Sequence, residues 1–265
     1  MWAGNMSFQE TVFAQLIQTI DHHEFERCVH RHNGNYRNRS FSCWDLFLSL
    51  LFAQWAEKRS MRATVFSLTR MNPKLYHMGF RGRITTSAIS DAINSRDWRI
   101  FQDFAMSLIP KALELYKDDP IEPDIKNTVY AFDSTTINLC LSVFGWADFR
   151  KTKAGIKLHT LLNLRGSIPK QIDITHAKPH DVSGMDRIEP ERGAIYLWDK
   201  AYLDFSRLYR FEQAGAFFVM RSKANTRVKR RYSNPIDKNT GVQCDQIVVL
   251  ETKKVLKTIQ SHSAA

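Results

Sequence analysis

The chain has 265 residues, 43% of them hydrophobic and 25% charged, and its 38 Lys and Arg against 27 Asp and Glu give a formal net charge of +11. That length holds one large domain or two ordinary ones, and the composition excludes a disordered chain. Eleven Gly and eight Pro exclude collagen-like sequence, and four Cys without a C-x-x-C spacing give neither a disulfide nor a zinc-finger framework.

In chain order, the N-terminus MWAGNMSFQETVF carries an acid and no basic run, so it does not read as a signal peptide. Residues 7–20 place Phe8, Val12, Phe13, Leu16, Ile17 and Ile20 at helical spacing behind a capping box of Ser7 and Glu10. Ser42 and Asp45 repeat that signature at the head of CWDLFLSLLFAQWA, which is apolar on nearly all sides and is expected as the central helix of an N-terminal core. The apolar stretch 41–56, interrupted by Asp45 and Gln54, is too short to span a bilayer. A soluble, cytoplasmic protein with no membrane contact is the expectation. A third helix over 60–70 must end before Pro73, which disfavours helix at Asn72.

The next segment, RGRITTSAISDAIN, lets Thr85 or Thr86 cap a short helix with Ser87, Ser90, Asp91 and Asn94 on its polar side. Led by Arg81 and Arg83, it is either a helix-turn-helix reader of DNA or an ordinary capped surface helix. A longer helix over 98–116 contains Pro110, which should kink or split it. The stretch KDDPIEPDIKN is acidic, holds two prolines and lacks apolar periodicity, so the domain boundary is placed near 117–127.

Beyond it the pattern changes to strands. Thr128-Val-Tyr-Ala-Phe-Asp133 and Ala194-Ile-Tyr-Leu-Trp-Asp199 are both β-rich runs that end in a carboxylate. Residues 157–164 and 168–175 flank Arg165-Gly166-Ser167 as a hairpin does, 204–214 has helical periodicity ending at Gly215, and 216–220 reads as another buried strand. The order predicts a mixed sheet with helices against its faces. If the two Asp-bearing strands are neighbours, their ionised carboxylates repel unless one is protonated or a cation sits between them, and Mg²⁺ takes oxygen ligands of this kind. The alternative is that each Asp caps the turn that follows it.

Charge is uneven along the chain. Residues 1–126 hold 16 cations and 14 anions, whereas 127–265 hold 22 and 13, and the densest cluster is Arg221, Lys223, Arg227, Lys229, Arg230 and Arg231. A basic half suggests a polyanionic partner, with a solvated basic loop as the alternative. Cys28, His30, His32 and Cys43 lack paired zinc-ligand spacing, and Ser134 and Ser183 lack a His and acid pattern for nucleophilic catalysis.

The segments NTVYAFDSTTINLCLSVFGWADFRKTKAGIKLHTLLNLRG, ITHAKPHDV, AIYLWDKAYLDFSRLYRF and GAFFVMRSKAN occur in the order found in a known family. Over 5–250 the chain resembles insertion-sequence DDE transposases of the family that includes the Tn5 and insertion-sequence-four enzymes. RSFSCWDLFLSLLFAQ and KLYHMGFRGRITTSAISDA resemble the helical N-terminal region of one branch. The resemblance implies an α/β fold, with a helical DNA-binding domain (1–120), a partial ribonuclease H-like core (121–250) and an atypical tail (251–265). It implies Asp133 and Asp199 as the first two carboxylates of a triad that holds Mg²⁺ or Mn²⁺. It also implies double-stranded DNA with terminal inverted repeats as partner, bound by a homodimer or by a mixed dimer with full-length transposase. His180-Asp181 matches a further motif, expected to cap the next helix.

Two departures bear on that implication. Asp199-Lys200-Ala201-Tyr202 stands where the family has Asp-Arg-Gly-Tyr, and Ala is strained if the position needs positive φ. No Tyr-(2)-Arg-(3)-Glu-(6)-Lys pattern follows, and Glu251 lies outside that motif, so no third carboxylate is assigned. The expectation is a truncated, inactive transposase, or a non-catalytic DNA-binding or inhibitory remnant.

Overall fold

A computed structural model of the protein describes residues 11–38, 40–120, 125–139, 148–150, 153–178 and 180–250. They fall into two compact units divided between Lys111 and Ala112. The first unit is helical because its apolar residues recur at 3.6-residue spacing and polar caps close each start. Helix α1 (Val12–Gln18) is capped by Thr11, which accepts from the Ala14 N–H, so the helix starts later than the spacing suggests. The expected Ser7–Glu10 box lies outside the described residues. Asp21 caps α2 (His22–Arg31), and Ser42 with Asp45 forms the expected capping box of α3 (Cys43–Trp55).

Helix α3 is the centre of this unit. Its Leu46 and Leu48 are fully buried, and Phe25 of α2 packs 5.2 Å from the Trp44 ring and 5.0 Å from Phe47. Ser60 caps α4 (Met61–Arg70), whose Thr64 and Leu68 face inward. Contrary to the expectation for Asn72, that residue opens a one-turn helix, α5 (Asn72–Leu75). Pro73 is tolerated there because a first turn has no acceptor for its missing N–H. Thr85 caps α6 (Thr86–Ser95), and the polar side seen in the sequence is exposed. Helix α7 (Arg99–Leu115) runs through Pro110 without being split. Pro110 and Met106 are both exposed, so water can serve the Met106 carbonyl that loses its N–H partner.

The second unit carries a six-stranded mixed sheet made of β1 (Val129–Leu139), β2 (Asp148–Arg150), β3 (Lys153–Asn163), β4 (Ile168–His176), β5 (Ile195–Trp198) and β6 (Phe217–Met220). Strands β1, β3 and β4 are antiparallel neighbours, β2 joins the start of β3, and β5 and β6 run parallel to β1 and to each other. The turn from β3 to β4 uses Gly166 at φ 71°, where an added Cβ would lie 2.6 Å from the Tyr116 ring. Helix α8 (Phe205–Gln213), capped by Asp204, links β5 to β6. A separate two-stranded ribbon of β7 (Val228–Asn234) and β8 (Asp245–Leu250) follows. Among the described residues no helix is long and apolar enough to cross a membrane.

Two sequence expectations change here. β1 does not end at Asp133 but continues to Leu139, because residues 133–139 keep their ladder with β3. β6 is not buried. It is the last strand of the sheet, and Phe217 and Val219 are exposed because no described element covers that face.

Candidate active site

The parallel pairing of β1 with β5 sets Val129 beside Ile195, Tyr130 beside Tyr196 and Ala131 beside Leu197. Two residues further along the chain from Ala131 and Leu197 come Asp133, still on β1, and Asp199, the first residue after β5. Neighbouring strands lie about 4.8 Å apart, and residues two apart share a face, so both carboxylates sit on one side of the sheet. Phe132 and Trp198 point to the other side, their rings 5.5 Å apart.

Both oxygens of Asp199 are engaged. Oδ1 accepts from the Ala201 N–H at 3.0 Å, and Oδ2 pairs with the Arg221 guanidinium at the end of β6. The Arg221 bond, aided by the Ala201 N–H, holds the Asp199 carboxyl below the usual carboxylate range. Asp199 thus caps the turn as well as facing the site. Ala201 is not among the residues with positive φ, so alanine is accommodated without backbone strain.

Beneath this pair, on the α8 side, lies a polar chain that the sequence did not reveal. The Tyr202 hydroxyl donates to Ser134 Oγ at 3.1 Å, Ser134 donates to Asp181 Oδ1 at 2.7 Å, and Lys157 Nζ reaches the same oxygen at 2.9 Å. Asp181 therefore ties β1 to β3 rather than capping the segment it opens, as had been expected for His180-Asp181; the 3₁₀ turn Asp181–Arg187 has no side-chain cap. Burial opposes its ionised form, but the Lys157 and Ser134 bonds outweigh burial and hold its carboxyl below the usual range. The Tyr202 phenol is pushed up to about 12, by burial first and then by the negative charge of Asp133, Asp181 and Asp199. His159 stacks on Phe132 and meets Thr175 Oγ1 at 3.0 Å, while its Nδ1 has no partner among the described residues and burial lowers its pKa.

Of the cations picked out in the sequence, Arg221 is drawn to Asp199, and Lys223 is half-buried. Arg227, Lys229, Arg230 and Arg231 are exposed on and just before β7. Arg83 is exposed, whereas Arg81 lies 4.0 Å over the Tyr76 ring and donates to the Tyr76 and Phe80 carbonyls.

Two carboxylates on adjacent strands fit a hard divalent cation in kind, since such ions take oxygen donors. In number the set is short. Among the described residues no group of three His, Cys, Asp or Glu side chains could hold a metal. Residues 251–265, which include Glu251, lie outside the described residues.

Comparison with known proteins adds two families. Residues 8–81 match a domain of unknown function (DUF4372), and residues 125–265 match the transposase DDE domain. A transposase-named protein of Sinorhizobium fredii, y4zB, is 35% identical over 97 residues, which is 37% of this chain and 27% of that protein. A Geobacillus stearothermophilus protein named for transposition of insertion sequence element IS5377 is 28% identical over 128 residues, 48% of this chain and 34% of that protein. The matched part thus spans about a third or less of these relatives. The mixed sheet with neighbouring Asp-bearing strands agrees with the ribonuclease H-like core implied by the sequence resemblance.

Proposed function

The chain belongs to the proteins with a transposase DDE domain, and from that premise we propose that it acts in DNA transposition, cutting and joining strands at the ends of an insertion sequence. The observation that supports this reading is the parallel β1–β5 pairing, whose last partners, Ala131 and Leu197, each stand two residues before Asp133 and Asp199. Divalent-metal dependence comes with the family; Mg²⁺, or Mn²⁺, is the ion proposed, held by these two carboxylates. When bound, it supplies Lewis-acid stabilisation of charge on the reacting phosphate. The protein's own groups hold the carboxylates in place. Ala201 fixes the Asp199 rotamer, and the Tyr202–Ser134 bond ties the turn after β5 to the residue next to Asp133.

Arg83, Lys223, Arg227, Lys229, Arg230 and Arg231, with Arg221 and Arg81 where they leave their present partners, are proposed to engage the DNA backbone. The terminal inverted repeats are the proposed binding sequence. Magnesium-dependent nicking of a duplex carrying those repeats tests the reading. Asp133→Asn and Asp199→Asn should each abolish nicking while leaving DNA binding in place. Nicking that survives in the double variant would remove the proposal.

One observation favours a second reading, a DNA-end-binding protein that does not transfer strands. Both Asp199 oxygens are taken, and no third metal-ligating side chain joins the pair among the described residues. Repeat-specific binding without nicking in either Mg²⁺ or Mn²⁺ would decide for it.

A further inference from the structure

The charge of the helical unit is divided in a way that total charge conceals. On α2 and α7 the cations are neutralised: Arg27 by Glu24, Arg31 by Asp103, Arg99 by Asp97, and Lys111 by Asp21. Residues 58–90, by contrast, contain seven cations and no Asp or Glu. Helix α4 lies in that stretch.

Its exposed side carries Arg62, Phe66 and Arg70 at i, i+4 and i+8, one stripe of a helix. Its opposite side is buried through Thr64 and Leu68, with Met61 and Val65 on the flank packed against the cluster of Leu46, Ile89 and Ala92. Arg62 and Arg70 have no carboxylate partner among the described residues. The Arg70 guanidinium instead lies 5.1 Å from the centroid of Phe66, a ring left 61% exposed. That stacking limits the freedom Arg70 would lose on meeting a ligand.

We propose that this α4 face is a duplex-DNA contact surface, with Arg62 and Arg70 as phosphate ligands. The inference rests on the DNA reading above and names where the helical unit would make its contact. An ordinary solvated helix face interleaves both signs of charge, and this one does not. Eight residues at 1.5 Å each put the two arginines about 12 Å apart along the axis, about the width of a B-DNA major groove. The unpaired cations repel one another in the free protein, and a polyanion removes that repulsion. The neighbouring α6, for which the sequence leaves a DNA reader and an ordinary surface helix open, presents Asp91 on its exposed side, and its leading Arg81 is tied to Tyr76 and Phe80.

The test uses the full chain and a fluorescent duplex carrying the inverted repeat, titrated across a NaCl series. Arg62→Gln with Arg70→Gln should lower the salt slope by about 2 and weaken binding about tenfold or more near 0.1 M salt. Arg27→Gln with Arg99→Gln removes the same charge from the paired side and should leave slope and affinity unchanged. Each single α4 variant should carry about half the slope change, so a folding defect in the double variant does not remove the test. If the wild type binds and the α4 variants bind equally well, this inference falls while the DNA reading stands. It also falls if both pairs of substitutions weaken binding alike, or if single-stranded RNA is bound more tightly than the duplex. If the wild type binds no DNA at all, both fall together.

Discussion

The two faces of the central sheet are built from alternate residues of the same strands, yet their environments differ sharply. On the α8 side, Phe132, Tyr196 and Trp198 are at most 5% exposed and pack with Phe211 and Met185. On the other side, Val129 is buried at the start of β1, but Ile137, Phe217 and Val219 remain about half exposed. One pleat face supplies the packing that holds the unit together. The other leaves two carboxylates reachable by a ligand, at the cost of apolar surface in water. Stability and chemistry are thereby separated by a single-residue step along each strand.

The largest effect expected from that separation is in the core. Phe211→Ala removes a fully buried ring that packs against Tyr196 at 4.8 Å and Trp198 at 5.2 Å. It should cost about 3–5 kcal/mol in urea unfolding. A loss below about 1 kcal/mol would break the comparison, since the α8 face would then not be the stabilising one. Gly184→Ala comes next. Its Cβ would meet His159 Nδ1 at 2.7 Å and Phe132 Cζ at 2.9 Å, both parts of rigid rings in a packed layer. Overpacking of this kind costs about 1–3 kcal/mol, and thermal unfolding of the variant measures it.

Much of this arrangement was legible in the sequence, for identifiable reasons. The runs VYAF and IYLW are apolar enough to demand a sheet interior, each is followed by Asp, and the two strands are neighbours. The Ser42–Asp45 box and the Thr85 cap are local hydrogen bonds, and local patterns identify them. Burial of β6 was misjudged because FFVM is apolar, and whether an apolar strand is covered depends on elements far away in sequence. The Tyr202–Ser134–Asp181–Lys157 chain joins residues up to 68 apart, two on strands β1 and β3 and two on turns packed against them, so no local pattern marks it. The α4 stripe was within reach. Its mark in the sequence is the absence of acids over 58–90, where the cations are spread thinly and form no dense run.

The covered face also predicts a pH effect. Burial lowers the pKa of His159 from 6.5, so the folded protein prefers the neutral ring, and the unfolded chain binds the proton first. Stability is then complete above about pH 6.5 and declines as pH falls below it toward the folded value, by at most about 1.4 kcal/mol per pH unit. His159→Gln should flatten urea midpoints between pH 7 and 5. Asp181 titrates in a separate, more acidic window. Its folded pKa is depressed, so its contribution is present above about pH 3.9 and fades as pH falls through the lower folded value. A slope confined to that acidic window in the wild type would remove His159 from the account.

The smallest expected effect sharpens the comparison most. Val219 lies on β6, paired among the described residues with Leu197 alone, and its side chain is largely in water. Val219→Thr keeps the β-branched shape that suits a strand and exchanges one methyl for a hydroxyl. On an open face the hydroxyl stays hydrated, so stability should change by no more than about 0.5 kcal/mol. On a covered face the same hydroxyl would be buried without a partner and would cost about 1–3 kcal/mol. A loss of that size would mean that the Asp133 face is covered in solution. The carboxylate pair would then meet a ligand only after that cover moves, and the division between a packed face and a chemical face would become one between two packed faces.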